Sequence, residues 1–193
     1  MTPYKFLFDR TLPYRKVAFL DRDGVINVDH AYVYQRNEFD FVPQALEGAR
    51  TLYQKGYALI IVTNQSGIGR SKYSEADFAK LSFWLAGRFK EAQAPLSAIY
   101  FCPHHPEKAF APYLMECQCR KPQPGMLLSA SKDFDIAMSE SVLIGDKSSD
   151  MTAGKEAGLA RRILVHTDGT RPLGNTTDST DIAQNLYEAS QLL

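Results

Sequence analysis

Short runs of consecutive apolar residues alternate along this chain with longer segments in which apolar residues recur every three or four positions. The runs predict buried strands, and the longer segments predict helices with one apolar face. Strands are expected at about 16–21, 57–63, 98–102, 141–145 and 161–166, and helices at about 44–55, 75–93, 125–134 and 149–157. This alternation predicts an α/β fold, with a doubly wound, mostly parallel sheet and helices on both faces.

The ends of these helices carry residues that start or stop a helix. Pro43 suits the first turn of the first helix, and Ser74 with Asp77 predicts an N-terminal capping arrangement. Gly56 and Gly158 follow two helices at points where a left-handed residue commonly ends a helix. The boundary residues therefore agree with the predicted alternation.

The 193 residues, 45% of them hydrophobic, predict a single domain over 1–193. Residues 1–15 are expected to form an N-terminal extension, because their apolar stretch is too short for a secretion signal or a membrane span. The composition shifts to Gly, Thr, Asp and Asn near residue 168, so 168–193 is expected to hold a linker and a C-terminal helix. That helix would dock on the core through Ile182, Leu186, Leu192 and Leu193.

The charge is balanced, with 22 basic and 22 acidic residues. No net field favours nucleic acid or a membrane surface, and this indicates a small-molecule partner held by local charges. The cysteines number three and cannot form a closed set of disulfides, which favours the cytosol and metal binding. We expect a cytoplasmic monomer.

Charged and hydroxyl residues directly follow three of the predicted strands, where open α/β sheets bind ligands. The segments are Asp21-Arg22-Asp23-Gly24, Thr63-Asn64 and Gly145-Asp146 through Asp150, and Lys121 completes the set. Each alone has an ordinary structural explanation, since Asp-Gly is a common turn and Lys a common surface residue. Their coincidence in this order indicates one functional site.

Asp21 and Asp146 are expected to meet, because the first strand and the strand on its other side are neighbours in a doubly wound sheet. With Asp23 and Asp150 nearby, several like charges would repel or take up protons unless a cation joined them. Oxygen ligands beside a phosphorylated substrate point to Mg²⁺. The sequence therefore predicts a magnesium site.

Asp21 is the expected nucleophile, since a carboxylate can attack phosphorus in line and form an aspartyl-phosphate. Asp23 would protonate the leaving oxygen and then deprotonate the attacking water. Thr63, Asn64 and Lys121 would supply hydrogen-bond donors and positive charge to the phosphoryl oxygens. The expected reaction is hydrolysis of a phosphomonoester.

A second cluster surrounds the long irregular stretch 103–123. It supplies three thiolates and an imidazole, the donors of a tetrahedral Zn²⁺ site: Cys102, His104 or His105, Cys117 and Cys119. Spacing alone favours neither histidine. A closed four-ligand site leaves no position for water, so the zinc would have the structural role of holding the loop 102–121.

The catalytic segments resemble the motifs of the haloacid dehalogenase superfamily of phosphotransferases: D-x-D-G, a Thr or Ser, a Lys, and G-D-x-x-x-D. The resemblance implies the Rossmann-like fold of that superfamily, and Asp23 is typical of its phosphatases and phosphomutases rather than its dehalogenases. It also assigns Mg²⁺ to Asp21, the Asp23 carbonyl and Asp146, with Asp150 placed behind these ligands. The spacing of the motifs leaves no segment for a separate cap domain.

Over about residues 16–167 the chain also resembles the zinc-loop phosphatases that act on D-glycero-D-manno-heptose 1,7-bisphosphate. The specific matches are segments 28–33 and 64–68, and C-P-H-H-P with C-x-C-R-K-P. The resemblance implies removal of the C7 phosphate on the route to ADP-heptose and lipopolysaccharide, and it selects His104 as the zinc ligand. It also implies substrate contacts by Asp29, His30, Ala31, Tyr32, Asn64, Gln65, Ser66, Arg120 and Lys147.

Two residues depart from the pattern of that family. Ala31 stands where the family usually has Gly, and Ser71 stands where Gly commonly follows Arg70. A residue with a side chain is strained wherever the backbone requires a positive φ. The loop that carries Ala31 is therefore expected to be strained if that position requires a positive φ.

Other functions fit parts of the same pattern. Histidinol-phosphate phosphatases resemble the chain in the catalytic motifs and the zinc loop, and only the segment 27–37 favours the heptose enzymes. A phosphoreceiver domain also places Asp, Thr and Lys at strand ends, but it needs neither Asp23 nor a zinc loop. A zinc-dependent nucleic-acid module is disfavoured by the balanced charge.

Overall fold

The computed structural model describes residues 4–166 and 178–193. The strands in chain order are β1 Tyr4–Leu7, β2 Lys16–Leu20, β3 Tyr57–Asn64, β4 Leu96–Cys102, β5 Val142–Gly145, β6 Arg161–Val165 and β7 Asp181–Ala183. The α-helices are α1 Ala45–Gln54, α2 Ser66–Gly69, α3 Glu75–Glu91, α4 Gly125–Asp133, α5 Ser148–Glu156 and α6 Leu186–Gln191. Short 3-10 helices lie at Arg36–Glu38 and Met138–Glu140.

The strands form one sheet in the order β1-β4-β3-β2-β5-β6-β7. All neighbouring strands are parallel except β1, which pairs antiparallel with β4. The chain runs outward from β2 to β4 and then returns to place β5 on the other side of β2. The predicted doubly wound α/β fold is confirmed, and the switch point lies between β2 and β5.

Helices cover both faces of the sheet, and this explains why its central strands read as continuous apolar runs. Side chains of β2 alternate between two cores: Ala18 and Leu20 join one, and Val17 and Phe19 join the other. All four are fully buried. Within the described residues, no segment forms a separate cap domain over the switch point.

Most of the predicted helix boundaries hold. The Ser74 hydroxyl accepts from the Asp77 amide at 3.1 Å while the Asp77 carboxylate accepts from the Ser74 amide at 3.2 Å, which is a capping box. Gly56 and Gly158 have φ of 83° and 80°, as left-handed helix ends require. Pro43 was expected in the first turn of α1, and that is wrong, because α1 begins at Ala45 after a turn.

The chain termini differ from the expectation. Residues 4–7 of the predicted extension form β1, and the Lys5 ammonium pairs with Asp133 at 2.6 Å. Ile182 was expected on the final helix, but it lies in β7 and is 56% exposed. The helix α6 does pack against α1, where an added Cβ at Gly48 would come within 2.7 Å of the Tyr187 amide nitrogen. The predicted linker lies largely in 167–177, outside the described residues.

Among the described residues, no helix is both long and apolar enough to cross a membrane.

Candidate active site at the switch point

Asp21 follows β2 and lies at the centre of the site. Its backbone amide donates to the Ile144 carbonyl of β5 at 2.9 Å, which extends the sheet and orients the residue. Its Oδ1 accepts from the Arg22 amide at 2.8 Å and pairs with the Lys121 ammonium at 2.9 Å. Burial raises the pKa of Asp21 to about 6. The Lys121 charge lowers this pKa, and the nearby Asp150 carboxylate raises it.

Lys121 is buried and joins three elements through its ammonium group. It donates to the Val62 carbonyl of β3 at 2.8 Å, and it pairs with Asp21 at 2.9 Å and with Asp150 at 2.5 Å. Burial alone would lower the pKa of Lys121, but Asp150 and Asp21 outweigh it and raise that pKa. Lys121 is therefore a fixed positive charge beside the candidate nucleophile.

Asp146 and Asp150 come from the β5–α5 junction. Asp150 is 1% exposed, and its Oδ2 accepts from the Lys147 amide at 3.0 Å, so it caps α5 as well as pairing with Lys121. Burial, followed by the charge of Asp21, raises the pKa of Asp146 to about 7. One buried oxygen of Asp146 has no hydrogen-bond partner among the described residues.

These carboxylates form a group that suits a divalent cation. One oxygen from each of Asp21, Asp146 and Asp150 lies within 4.8 Å of the others. Raised pKa values and an unpartnered buried oxygen are the features that a hard cation would relieve. Gly24 has φ of 87°, and a Cβ there would overlap the Asp146 carboxylate, so this turn requires glycine.

Asp23 lies at the same end of the sheet with its carboxylate held by neighbouring donors. Its Oδ1 accepts from the Arg22 guanidinium at 2.6 Å and from the Asn27 amide at 3.0 Å, and its Oδ2 accepts from Gln65 at 3.0 Å. Burial would raise the pKa of Asp23, but the charge of Arg22 and these hydrogen bonds lower it overall. The carboxylate is thus oriented by three donors before substrate arrives, and it can give a proton to a leaving group only after it has taken one up.

Thr63, Asn64 and Gln65 follow one another at the end of β3. The Thr63 hydroxyl accepts from Gln65 Nε2 at 2.8 Å. The Asn64 side chain is engaged with Lys121, to whose carbonyl it donates and from whose amide it accepts, each at 3.1 Å. In this structure the side chains of Asn64 and Gln65 bond to protein groups, and their predicted contacts with substrate stay predictions.

A cavity of about 240 Å³ opens at the end of the sheet. Its lining includes many of the predicted residues: Asp21, Asp23, Asp29, Ala31, Tyr32, Thr63, Asn64, Gln65, Ser66, Lys121 and Lys147. Lys147 spans the mouth, since its ammonium lies 3.3 Å from Asp29 and 3.4 Å from Asp146. His30 lies in the neighbouring cavity and pairs with Asp40 at 2.8 Å.

The two loops with unexpected residues do adopt positive φ. The values are 59° at Ala31, 60° at Tyr32 and 56° at Ser71. The Arg70 guanidinium donates to the Tyr32 hydroxyl at 2.8 Å, which links the two loops. The strain expected at Ala31 is therefore confirmed in its backbone geometry and lies in the wall of the cavity, and Ser71 has the same left-handed backbone.

The zinc-loop residues converge as a four-donor cluster. The sulfur atoms of Cys102, Cys117 and Cys119 lie 3.2–3.5 Å from one another, and His104 Nδ1 lies 3.3 Å from the Cys119 sulfur. Sulfurs bound to one tetrahedral Zn²⁺ at about 2.3 Å would be about 3.8 Å apart, so the four donors fit this ion. The three cysteines are free of disulfides.

The geometry also separates the two adjacent histidines. His104 is buried with its Nδ1 toward the cysteines, whereas His105 Nδ1 accepts from the amides of Glu107 and Lys108 at 3.1 and 3.0 Å. Arg120, directly after Cys119, donates to the His104 carbonyl at 3.1 Å. Arg120 thus lies against the zinc loop and is not among the residues that line the 240 Å³ cavity.

Three residues with clear contacts here were not identified from the sequence. Arg22 and Asn27 hold Asp23, and Tyr73 lines the cavity and donates to Gln65. Arg22 lies between two aspartates, and this pattern could have indicated an ion pair. Tyr73 carries no such signal, because it is brought to the site by the turn that precedes α3.

Phosphoryl transfer in the manner of the haloacid dehalogenase superfamily is the chemistry that this fold and these side chains define. The family model described as HAD-hyrolase-like matches residues 118–189. The chain is 47% identical over 153 residues to the D-glycero-beta-D-manno-heptose-1,7-bisphosphate 7-phosphatase of Vibrio cholerae. That alignment covers 79% of this chain and 82% of the Vibrio protein. It is also 47% identical over 150 residues to the D-glycero-alpha-D-manno-heptose-1,7-bisphosphate 7-phosphatase of Burkholderia mallei, and that alignment covers 78% of this chain and 79% of the relative.

A solved structure gives the same result. The D,D-heptose 1,7-bisphosphate phosphatase of B. bronchiseptica, complexed with magnesium and phosphate, is 27% identical and superposes with a TM-score of 0.76. The match covers 92% of this chain and 97% of that one. The chain belongs to the heptose-1,7-bisphosphate 7-phosphatase family of the haloacid dehalogenase superfamily.

Proposed function

We propose that this protein removes the C7 phosphate of D-glycero-D-manno-heptose 1,7-bisphosphate through an aspartyl-phosphate on Asp21. The observation that carries the proposal is the fixed ion pair of Asp21 with Lys121 at the floor of the cavity, in a chain of this family. A phosphorylated sugar that enters the cavity would meet a nucleophile whose position does not depend on the substrate.

The chain's own groups account for the proton transfers of both steps. Asp23 must first take up a proton, from solvent or from the substrate phosphate. Asp21 then attacks phosphorus, the bond from phosphorus to the sugar oxygen breaks, and the protonated Asp23 gives that oxygen its proton. Asp23 then takes a proton from a water molecule, which attacks the phosphoryl group and releases phosphate and free Asp21. Thr63 and Lys121 stabilise the charge on the phosphoryl oxygens in both steps.

Two metal ions complete the proposed enzyme. Mg²⁺ would be held by Asp21, the Asp23 carbonyl and Asp146, and when bound it neutralises charge on the phosphoryl oxygens and the carboxylates. Zn²⁺ would be held by Cys102, His104, Cys117 and Cys119 and would keep a structural role. The buried unpartnered oxygen of Asp146 and the four convergent donors of the loop support these two sites.

We further propose that the cavity rim selects the sugar. Lys147 lies at the mouth of the cavity, and the strained loop with Ala31 and Tyr32 forms one wall. Arg120 would have to turn from the His104 carbonyl toward the cavity to contact the sugar. The remaining proposed substrate contacts are Asp29, His30, Asn64, Gln65 and Ser66. The relatives with equal identity act on opposite anomers, so overall identity does not select an anomer.

The test is phosphate release by the purified protein with Mg²⁺ on both anomers of the heptose bisphosphate and on histidinol phosphate. A strong preference in kcat/KM for a heptose bisphosphate is expected, and Asp21→Asn should abolish it without loss of the folded state. Preference for histidinol phosphate would overturn the substrate, and substantial activity of Asp21→Asn would overturn the nucleophile.

A further inference from the structure

Gln65 connects the proposed acid/base residue to a buried tyrosine. Its Nε2 donates to Asp23 Oδ2 at 3.0 Å and to the Thr63 hydroxyl at 2.8 Å. Its Oε1 accepts a short hydrogen bond from the Tyr73 hydroxyl. Gln65 is 2% exposed and Tyr73 is 7% exposed, so water competes little for these bonds.

The chemistry of these groups sets the direction of every bond. Asp23 Oδ2 accepts from Gln65 when the carboxyl is ionised, and it can still accept when the proton to be transferred occupies its other lone pair, so the Gln65 NH₂ group must face Asp23. The Gln65 oxygen then faces Tyr73, whose hydroxyl must donate. Burial raises the pKa of Tyr73, so this hydroxyl keeps its proton at all working pH values. The Thr63 hydroxyl can donate as well as accept and so tolerates either orientation of the Gln65 amide, whereas the Tyr73 hydroxyl, which must donate, fixes the Gln65 oxygen on the side away from Asp23.

We propose that Tyr73 is a positioning residue that holds the Asp23 carboxyl, through Gln65, in place to protonate the leaving oxygen. The inference rests on the acid/base role of Asp23 in the proposed function. Arg22 and Asn27 hold only Oδ1 of Asp23, and Gln65 is the partner of Oδ2. Tyr73 therefore acts on the oxygen that the charged partner does not restrain.

The Tyr73 ring is fixed independently of its hydroxyl. It stacks on the Tyr34 ring with centroids 5.1 Å apart and planes 11° apart. A Cβ added at Gly67 would overlap the Tyr73 ring, so the backbone of α2 also lies directly against it. Tyr73→Phe should thus keep the ring in place and delete one hydrogen bond, which makes it a clean test.

The experiment compares two leaving groups, because only one of them needs a proton. A sugar or alkyl phosphate releases a strongly basic alkoxide that Asp23 must protonate, whereas p-nitrophenyl phosphate releases a stable phenolate. Tyr73→Phe is expected to lower kcat/KM about tenfold for the alkyl ester and less than about twofold for the aryl ester, since general acid catalysis contributes about 10²–10⁴-fold. The parameter kcat/KM is used because it excludes the later hydrolysis of the aspartyl-phosphate.

Asp23→Asn calibrates the assay and completes a double-mutant cycle. Asp23→Asn should lower kcat/KM for the alkyl ester more than Tyr73→Phe does, and it should again affect the aryl ester less. If Tyr73 acts through Asp23, Tyr73→Phe should lower kcat/KM little further in the Asp23→Asn background. Equal losses on both esters, or full additivity of the two substitutions, would overturn the proposal. The alkyl ester is whichever one the native enzyme hydrolyses fastest, so a wrong heptose assignment would not be mistaken for failure here.

Tyr100→Phe is the matched control. Tyr100 is fully buried, and its hydroxyl donates to Asp133 at 2.7 Å, outside the cavity lining. Tyr100→Phe should lower the free energy of unfolding in urea about as much as Tyr73→Phe does, and it should leave the ratio of the two kcat/KM values unchanged. A change of that ratio in Tyr100→Phe as large as in Tyr73→Phe would show that the ratio follows stability, and it would overturn the proposal.

Discussion

The side-chain amide of Asn64 binds the main chain of Lys121 on both sides, donating to its carbonyl and accepting from its amide at 3.1 Å each. Asn64 ends β3, and Lys121 leaves the loop whose cysteines form the zinc cluster. This pair of bonds joins the loop to the sheet at the residue that contacts Asp21 and Asp150. The four-donor cluster and the cation proposed to act in catalysis are thus held to the sheet together.

Removal of this clamp should lower turnover more than stability. Asn64→Ala deletes both bonds and should reduce kcat by about 10–100-fold, because small misplacements of a catalytic group cost this much. Steady-state kinetics and urea unfolding on the same preparation would measure the two effects. Asn185→Ala is the matched control, since Asn185 caps α6 by accepting from the Glu188 amide at 2.9 Å. Asn185→Ala should lower the free energy of unfolding by about 1 kcal/mol and leave kcat unchanged. Equal kcat in Asn64→Ala and the native protein would contradict the clamp.

Loss of one zinc ligand should release the loop and reduce activity together. Cys117→Ser is expected to lose bound zinc, measured by elemental analysis, and to make the stretch 103–123 sensitive to limited proteolysis. Activity should fall because Lys121 is attached to this loop. Met115→Ser changes a residue of the same loop outside the four donors and should keep one zinc per chain. Unchanged zinc content in Cys117→Ser would contradict the site.

Magnesium affinity should rise with pH. Without a metal, the pKa of Asp21 is about 6 and that of Asp146 about 7, so below these values protons occupy the carboxylates that the ion needs. Raising the pH through this window removes the competing protons, and affinity should increase by up to about tenfold per pH unit for each proton displaced. Calorimetry between pH 5.5 and 8, in buffers of different ionisation enthalpy, would measure both quantities. A dissociation constant that does not change with pH would refute this linkage.

Glycine at the two strained rim positions should stabilise the protein. In Ala31→Gly and Ser71→Gly the backbone keeps its left-handed conformation but loses the steric cost of a side chain there, about 1–2 kcal/mol, while the unfolded chain gains about 0.5–1 kcal/mol of conformational entropy. Each should gain about 0.5–1 kcal/mol in urea unfolding. Ala92→Gly is the control, because Ala92 has φ of −77° and no such strain to relieve, so it should destabilise. Destabilisation by both rim glycines would contradict the strain.

Local pattern predicted much of this molecule. Apolar runs and helix-capping residues were enough to place the five central strands and the alternation of the sheet, since a strand covered on both faces must be apolar throughout. Topology then predicted that Asp21 and Asp146 meet, because the ends of adjacent parallel strands lie together. The strand β1 was missed, as was β7 with Ile182, because short edge strands have little burial and hence little pattern.

The sequence by itself determined the fold class, the order of the catalytic residues, and three cysteines with one of two adjacent histidines as donors of the metal cluster, because each follows from residue type and spacing. The tertiary structure alone decided contacts between distant side chains. It turned His104, the histidine that the family resemblance had indicated, toward the cysteines, directed the Asn64 amide onto Lys121, and brought Tyr73 to Gln65. Such contacts depend on how loops pack over the sheet, and hydrogen bonds across loops leave no periodic trace in the chain.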